Sequence, residues 1–268
     1  MRLIGKCCLL LMCLPSLGQA HEFWIEPLAY QGQIGEPISA NLKVGQHFKG
    51  DSYPYIPDNT QSFAIRIGDE THNLEARIGD IPAVRVTPFA NGLAILSHVT
   101  SIFFLEYREA GKFAAFLEAE GQDGVLEQHR RQGLPMVGVK EAYQRFAKSL
   151  VQIGTQPGAD RLLGLEFEWL LESDPYQSSG PLQARLFWKG APLADAQIRQ
   201  FTRYRGQVNE TVLRTDAQGR VYLNANPGSE VLLNAVRMTP PSPGLLAARG
   251  VSWKSHWASV TFAVAPAN

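Results

Sequence analysis

Apolar and polar positions alternate along most of the chain, and Gly, Pro, Asn and Asp interrupt the alternation at short intervals. That rhythm predicts short strands joined by turns. In the first half it predicts strands within 34–44, over 62–67 and over 94–107, with one more at 112–117. Phe23, Trp24 and Ile25 are too apolar to fray, so a further strand is expected to open the chain there. After residue 122 the period changes. Asp123 opens a helical stretch that Gly133 stops, and Tyr143, Phe146, Ala147 and Leu150 fall three and four residues apart, which predicts a second helix over 140–150.

The turn-forming run Gly154, Thr155, Gln156, Pro157 and Gly158 then reads as a linker. Beyond it, strands are predicted over 165–171, 183–188, 196–205, 221–223, 231–237 and 255–262. The Gly190-Ala191-Pro192-Leu193 and Thr215-Asp216-Ala217-Gln218-Gly219 turns between them resemble those of transthyretin-like and carboxypeptidase-regulatory-like modules, which seldom catalyse anything. The expected fold is therefore mainly all-β, with two antiparallel β-sandwich domains, immunoglobulin-like or transthyretin-like, and a short helical segment between them. The expected boundaries are 21–155 for the first domain, with its helical segment at 123–150, and 160–268 for the second.

Ahead of this pattern stand Arg2 and Lys6, an apolar run over 7–17, and the small residues Gly18 and Ala20. This order predicts a signal peptide over 1–20 cleaved after Ala20, and hence a periplasmic protein. Cys7, Cys8 and Cys13, the only cysteines, lie inside that leader, so thiol and disulfide chemistry are not expected of the mature chain. No later apolar run has the length of a membrane helix. Lys plus Arg and Asp plus Glu balance at 25 each, and no clustered basic face recommends a nucleic-acid partner.

Cleavage after Ala20 would make His21 the first residue, and a terminal histidine can close its α-amine and its imidazole on one metal ion. Such a residue either frays into solvent or belongs to a site, and the apolar residues that follow favour the second. Among the other histidines, His98 in an apolar strand reads as structural and hydrogen-bonded, and His72 in a hairpin turn as solvated. His129 reads as exposed on a charged helix face. Glu118 and Glu120 are expected on one strand face, either as an acid-base pair or as a solvated edge, and Asp174 is expected to anchor a turn. There is no Gly-x-Ser-x-Gly elbow, His-Glu-x-x-His helix, phosphate loop or dinucleotide fingerprint, which argues against an enzyme.

Several segments, taken together, resemble one family. They are His21-Glu22-Phe23-Trp24-Ile25-Glu26-Pro27, Val44-Gly45-x-x-Phe48-Lys49-Gly50-Asp51, Leu117-Glu118-x-Glu120-Gly121, Tyr143-x-Arg145-Phe146-Ala147-Lys148 and Trp257-Ala258-Ser259-x-Thr261-Phe262. The resemblance is to a bacterial exported family of largely uncharacterised periplasmic proteins that includes NikM-like components of nickel and cobalt uptake. It implies a divalent transition metal, nickel or cobalt, and an inner-membrane metal transporter as partner. His21 matches the family's starting histidine, while His47 and His256 are additions that either complete a metal site with it or are tolerated substitutions. Two other readings stay open: a copper carrier or copper enzyme with an N-terminal histidine site, and a non-metal carbohydrate-binding or adhesion module.

Overall fold

The computed structural model describes residues 22–177 and 180–266. The chain is predominantly β. One ten-stranded sheet runs through both halves, in the order Gln207–Arg214, Gln197–Tyr204, Glu230–Thr239, Trp253–Ala263, Val139–Ile153, Gly92–Thr100, Thr60–Ile67 and Glu70–Asn73. Two shorter strands, Gln31–Gly32 and Phe103–Tyr107, also pair with the central strand Val139–Ile153. A four-stranded sheet containing the entry strand Glu22–Pro27, Ile38–Gln46 and Lys49–Tyr53 covers one face, and another containing Phe167–Leu171 and Leu182–Trp188 covers the opposite face.

The two sandwiches thus share a sheet, and the seam is a parallel pairing of Val139–Ile153 with the closing strand Trp253–Ala263. Side chains of a strand alternate in direction, so the central strand feeds both cores. Ala147, Val151 and Ile153 enter the core under the entry sheet, while Phe146 and Leu150 enter the core under the second sheet.

The expected helix over 140–150 is therefore a correction: those residues lie in the fifteen-residue central strand. The strand buries polar residues as well, Glu141, Gln144, Lys148, Ser149 and Gln152, so its apolar positions fall at helix-like intervals although they point to both faces of the sheet. The predicted strand at 112–117 is also corrected. It is helix α1, Lys112–Ala119, which buries Phe113 and Leu117 four residues apart. Helix α2, Asp123–Arg131, forms where expected. The strand Gln207–Arg214 was not foreseen, and 94–107 divides into Gly92–Thr100 and Phe103–Tyr107.

A buried ionic knot ties the central strand to the second sheet. Lys148 Nζ donates to Asp160 Oδ1 at 2.8 Å, Glu168 Oε1 at 3.3 Å and two backbone carbonyls. Backbone N–H groups of Arg161, Leu171, Leu163 and Leu165 donate to the two carboxylates. Every charge in the knot is saturated, as burial requires.

Candidate functional site

The entry strand places Glu22, Trp24 and Glu26 on one face, by the two-residue period of a strand. That face meets Arg199, Phe201 and Arg203, which alternate along Gln197–Tyr204. Trp24, Phe201 and Phe48 are all fully buried together between the two sheets.

Phe48 follows His47 in the two-residue turn between Ile38–Gln46 and Lys49–Tyr53. Both turn residues have positive φ, 52° at His47 and 56° at Phe48, the geometry of a tight hairpin in which Asn and Gly are usual. Tertiary contacts hold the unfavourable conformation. The Arg203 guanidinium lies 4.0 Å from the Phe48 ring centroid and donates to its carbonyl at 2.7 Å, while Trp24 packs edge-on at 5.7 Å.

The turn delivers His47 to Glu210, with Nδ1 2.9 Å from Oε2. Arg199 Nη1 donates to the other oxygen of Glu210, and Arg199 Nε stands 3.4 Å from Glu120 Oε1. Glu120 caps the end of α1. Glu22 completes the group: the residue is 8 % exposed, and its Oε2 is buried with no hydrogen-bond partner among the described residues.

Three carboxylates thus face one guanidinium and one imidazole. Burial pushes the Glu22 carboxyl up to about 7, Glu120 and Glu210 push the same way, and Arg199 opposes them. Burial also raises Glu120, against Arg199. Although burial disfavours its charge, Arg199 is held above the usual guanidinium range by Glu120 and Glu210. Burial and the neighbouring carboxylates thus favour the neutral form of Glu22, and ionising it adds a negative charge that Arg199 counters.

Of the three expected metal ligands, His21 lies outside the described residues. His47 is at this cleft. His256, the alternative to His47 as a helper of His21, is not. It lies on the closing strand, where Ser259 and Thr261 bond the entry strand's carbonyls and so define the opposite face. His256 is 2 % exposed, with Nε2 3.2 Å from Thr239 Oγ1 and its ring edge-on to Trp188 at 4.6 Å. Burial, with Lys254, Lys189 and Arg237 nearby, holds its pKa down at about 3. Among the described residues no group of three or more His, Cys, Asp or Glu is arranged to hold a metal ion by itself.

His98 is buried and bonds Thr60 Oγ1 at 3.1 Å, as expected, and His72 is exposed beside Phe89. His129 corrects the exposed reading. It is fully buried, accepting from Trp253 Nε1 at 2.9 Å and bonding the Pro135 carbonyl at 3.0 Å. Glu118 and Glu120 lie on no common strand, since α1 occupies that stretch. Asp174 does anchor a turn, accepting from Tyr176 N at 2.9 Å. Arg199 and Glu210 carried no signal of their own, because a local hairpin sets them side by side and the packing of the entry sheet on that hairpin brings them to Glu22 and His47.

Fold and site describe a mixed-sheet β-sandwich protein with a partly buried group of three carboxylates, one arginine and one histidine at the start of its first strand. The chain belongs to the family described as Domain of unknown function (DUF4198), which matches residues 18–239. Comparison with curated proteins finds no match. Among solved structures the chain is similar to the tetra-tandem repeat in the extending region of a large adhesion protein, at 10% identity and a TM-score of 0.23, covering 91% of this chain and 49% of that one. The chain thus spans about half the length of that structure. It is also similar to the Clostridium thermocellum CbhA fibronectin(III)-like modules, at 8% identity and a TM-score of 0.18, covering 90% and 95%. TM-scores this low carry no statement of common fold. Among the described residues no helix is long and apolar enough to cross a membrane.

Proposed function

We propose that the chain is an exported periplasmic protein that binds and delivers a divalent transition metal at the Glu22 cleft, in the manner of the NikM-like nickel and cobalt components that its sequence resembles. The observation that carries the reading is the contact between His47 Nδ1 and Glu210. A carboxylate on one ring nitrogen orients an imidazole and leaves Nε2 as the metal-facing lone pair, the usual outer arrangement of metal-binding histidines. Glu22 pairs with Gly45, two residues before His47, so the entry strand begins beside that turn.

Cleavage after Ala20 would add the α-amine and imidazole of His21, the donors that the described residues lack. Nitrogen and carboxylate donors without a thiolate suit nickel, cobalt, copper(II) or zinc, and copper binds such sets most tightly. Nickel or cobalt as cargo, and an inner-membrane transporter as recipient, come from the resemblance. The role proposed is carriage, with no catalytic step.

Calorimetric titration with nickel, cobalt and copper tests the reading on a protein beginning at His21 and on one carrying a single extra residue ahead of it. The extra residue removes the chelate and leaves every side chain in place, so affinity should fall at least tenfold. Equal affinity in both proteins, or no binding in either, contradicts the proposal.

A further inference from the structure

The buried knot at Lys148 holds the parts of a covalent cross-link as well as those of an ion pair. Lys148 lies on the central strand, Asp160 ahead of the strand Phe167–Leu171 and Glu168 within it, and none of the three side chains is more than 2% exposed. Lys148 Nζ stands 2.8 Å from Asp160 Oδ1 and 3.3 Å from Glu168 Oε1. An amine, a carboxyl to attack and a second carboxyl to move protons therefore meet away from water.

The hydrogen bonds sort these groups into roles. Nζ faces four acceptors, the two carboxylates and the carbonyls of Arg161 at 3.0 Å and Trp169 at 2.9 Å, whereas an ammonium has three protons to give. When Glu168 takes one of them, the two carbonyls can hold the other two, and the lone pair is left to face Asp160. Both oxygens of Asp160 are served by backbone donors, Oδ1 by the Arg161 N–H and Oδ2 by the Leu171 N–H, each at 2.8 Å. Fixed donors of this kind stabilise the oxyanion that forms when a carboxyl carbon is attacked. Glu168 is held in place in turn, its Oε1 accepting from the Leu163 N–H at 2.6 Å and its Oε2 from the Leu165 N–H at 3.1 Å.

We infer that Lys148 and Asp160 close into an amide, an isopeptide bond between the central strand and the segment that leads into the second sheet, with Glu168 as the proton relay. Nζ attacks Cγ of Asp160, and the bond from Cγ to one carboxyl oxygen breaks. That oxygen leaves as water with two of the ammonium's protons, which Glu168 carries across. Glu168 ends as the carboxylate it began as, nothing is oxidised or reduced, and no co-reactant is consumed.

The fold supplies the driving conditions. Contact between the two groups makes the step intramolecular, which removes most of the entropy cost of bringing an amine to a carboxyl. Closure also replaces one cation and two anions in the interior with one anion, so two buried charges no longer have to be kept out of water. No cysteine stands beyond Cys13, so a disulfide cannot fasten this layer of the molecule, whereas an amide from lysine can.

The test is intact mass spectrometry of the whole purified protein under denaturing conditions, followed by tandem mass spectrometry of its digest. The chain should be lighter by one water than the sequence from its observed first residue requires, and the digest should contain a branched peptide that joins Lys148 to Asp160. Lys148→Arg, which keeps the charge and has no amine to join, should carry the full mass, and so should Glu168→Gln, which lacks the relay. A full mass in the unaltered protein overturns the inference, as does a water lost elsewhere while Lys148 and Asp160 appear in separate linear peptides. Complete closure in Glu168→Gln overturns it as well. The unaltered protein is decisive by itself, so misfolding of a variant cannot rescue or sink the result.

Discussion

Glu22 and Glu26 stand four residues apart on the same face of the same strand, and each meets an arginine of the strand Gln197–Tyr204. Their surroundings differ. Glu26 accepts from Arg203 at 2.7 Å and has Lys43 at 3.5 Å, and Arg203 also serves Glu230, so two carboxylates meet two cations. At the other end Glu22, Glu120 and Glu210 share Arg199, and Oε2 of Glu22 has no hydrogen-bond partner among the described residues. Equal geometry with unequal compensation separates the two ends: two carboxylates meet two cations around Glu26, whereas three carboxylates share Arg199 and His47 around Glu22, and the proposed cation would belong to the second.

The largest expected effect comes from breaking the balanced end. Arg203→Met leaves Glu26 with Lys43 alone, takes from Glu230 its contact with Arg203 and removes the support beneath the Phe48 turn, with Arg203 only 27% exposed. Urea unfolding should show a loss of ~1–3 kcal/mol, the range for a partly buried charged hydrogen-bond network. A loss under a few tenths would mean that the Glu26 end is no more than a surface pair.

The unbalanced end should respond with the opposite sign. A carboxyl whose folded pKa is raised binds more protons folded than unfolded, so its contribution is favourable below about 4.5 and is lost as pH rises to about 7. Glu22→Gln should therefore flatten the fall in stability across that window and, above neutral pH, stabilise by at most ~3 kcal/mol. Glu26→Gln should not stabilise. Parallel pH-dependent melting curves for the two variants decide the matter, and identical behaviour would erase the distinction between the ends.

The smallest effect concerns the turn. His47 holds φ of 52°, which Asn tolerates better than most residues, so His47→Asn should change stability by no more than a few tenths of a kcal/mol. Metal affinity should nevertheless fall. Unchanged calorimetric affinity would remove His47 from the site.

What the sequence discloses follows from the range of the interactions. The entry strand, α2 and most strands of the second half rest on local patterns and turn residues, and they were legible. The central strand was not, because buried polar residues such as Gln144, Lys148 and Ser149 interrupt its apolar positions and leave Tyr143, Phe146, Ala147 and Leu150 at a helical spacing. His47 was readable as a candidate ligand, but its partner Glu210 is 163 positions away on the ten-stranded sheet and reaches it only because the entry sheet packs on that sheet. His256 misled for the same reason: alternation alone does not say which layer covers which face, and its face is closed by Trp188 and Phe146.

The central claim is that the Glu22 carboxyl is held for a cation. Carbon-13 NMR of glutamate-labelled protein beginning at His21, with Glu22→Gln to assign the resonance, measures its titration with and without zinc, a diamagnetic probe. The account predicts a midpoint near 7 in the metal-free protein and a fall of at least one pH unit when zinc is added. A midpoint near the ordinary glutamate value of ~4.3 that zinc leaves unmoved would contradict it.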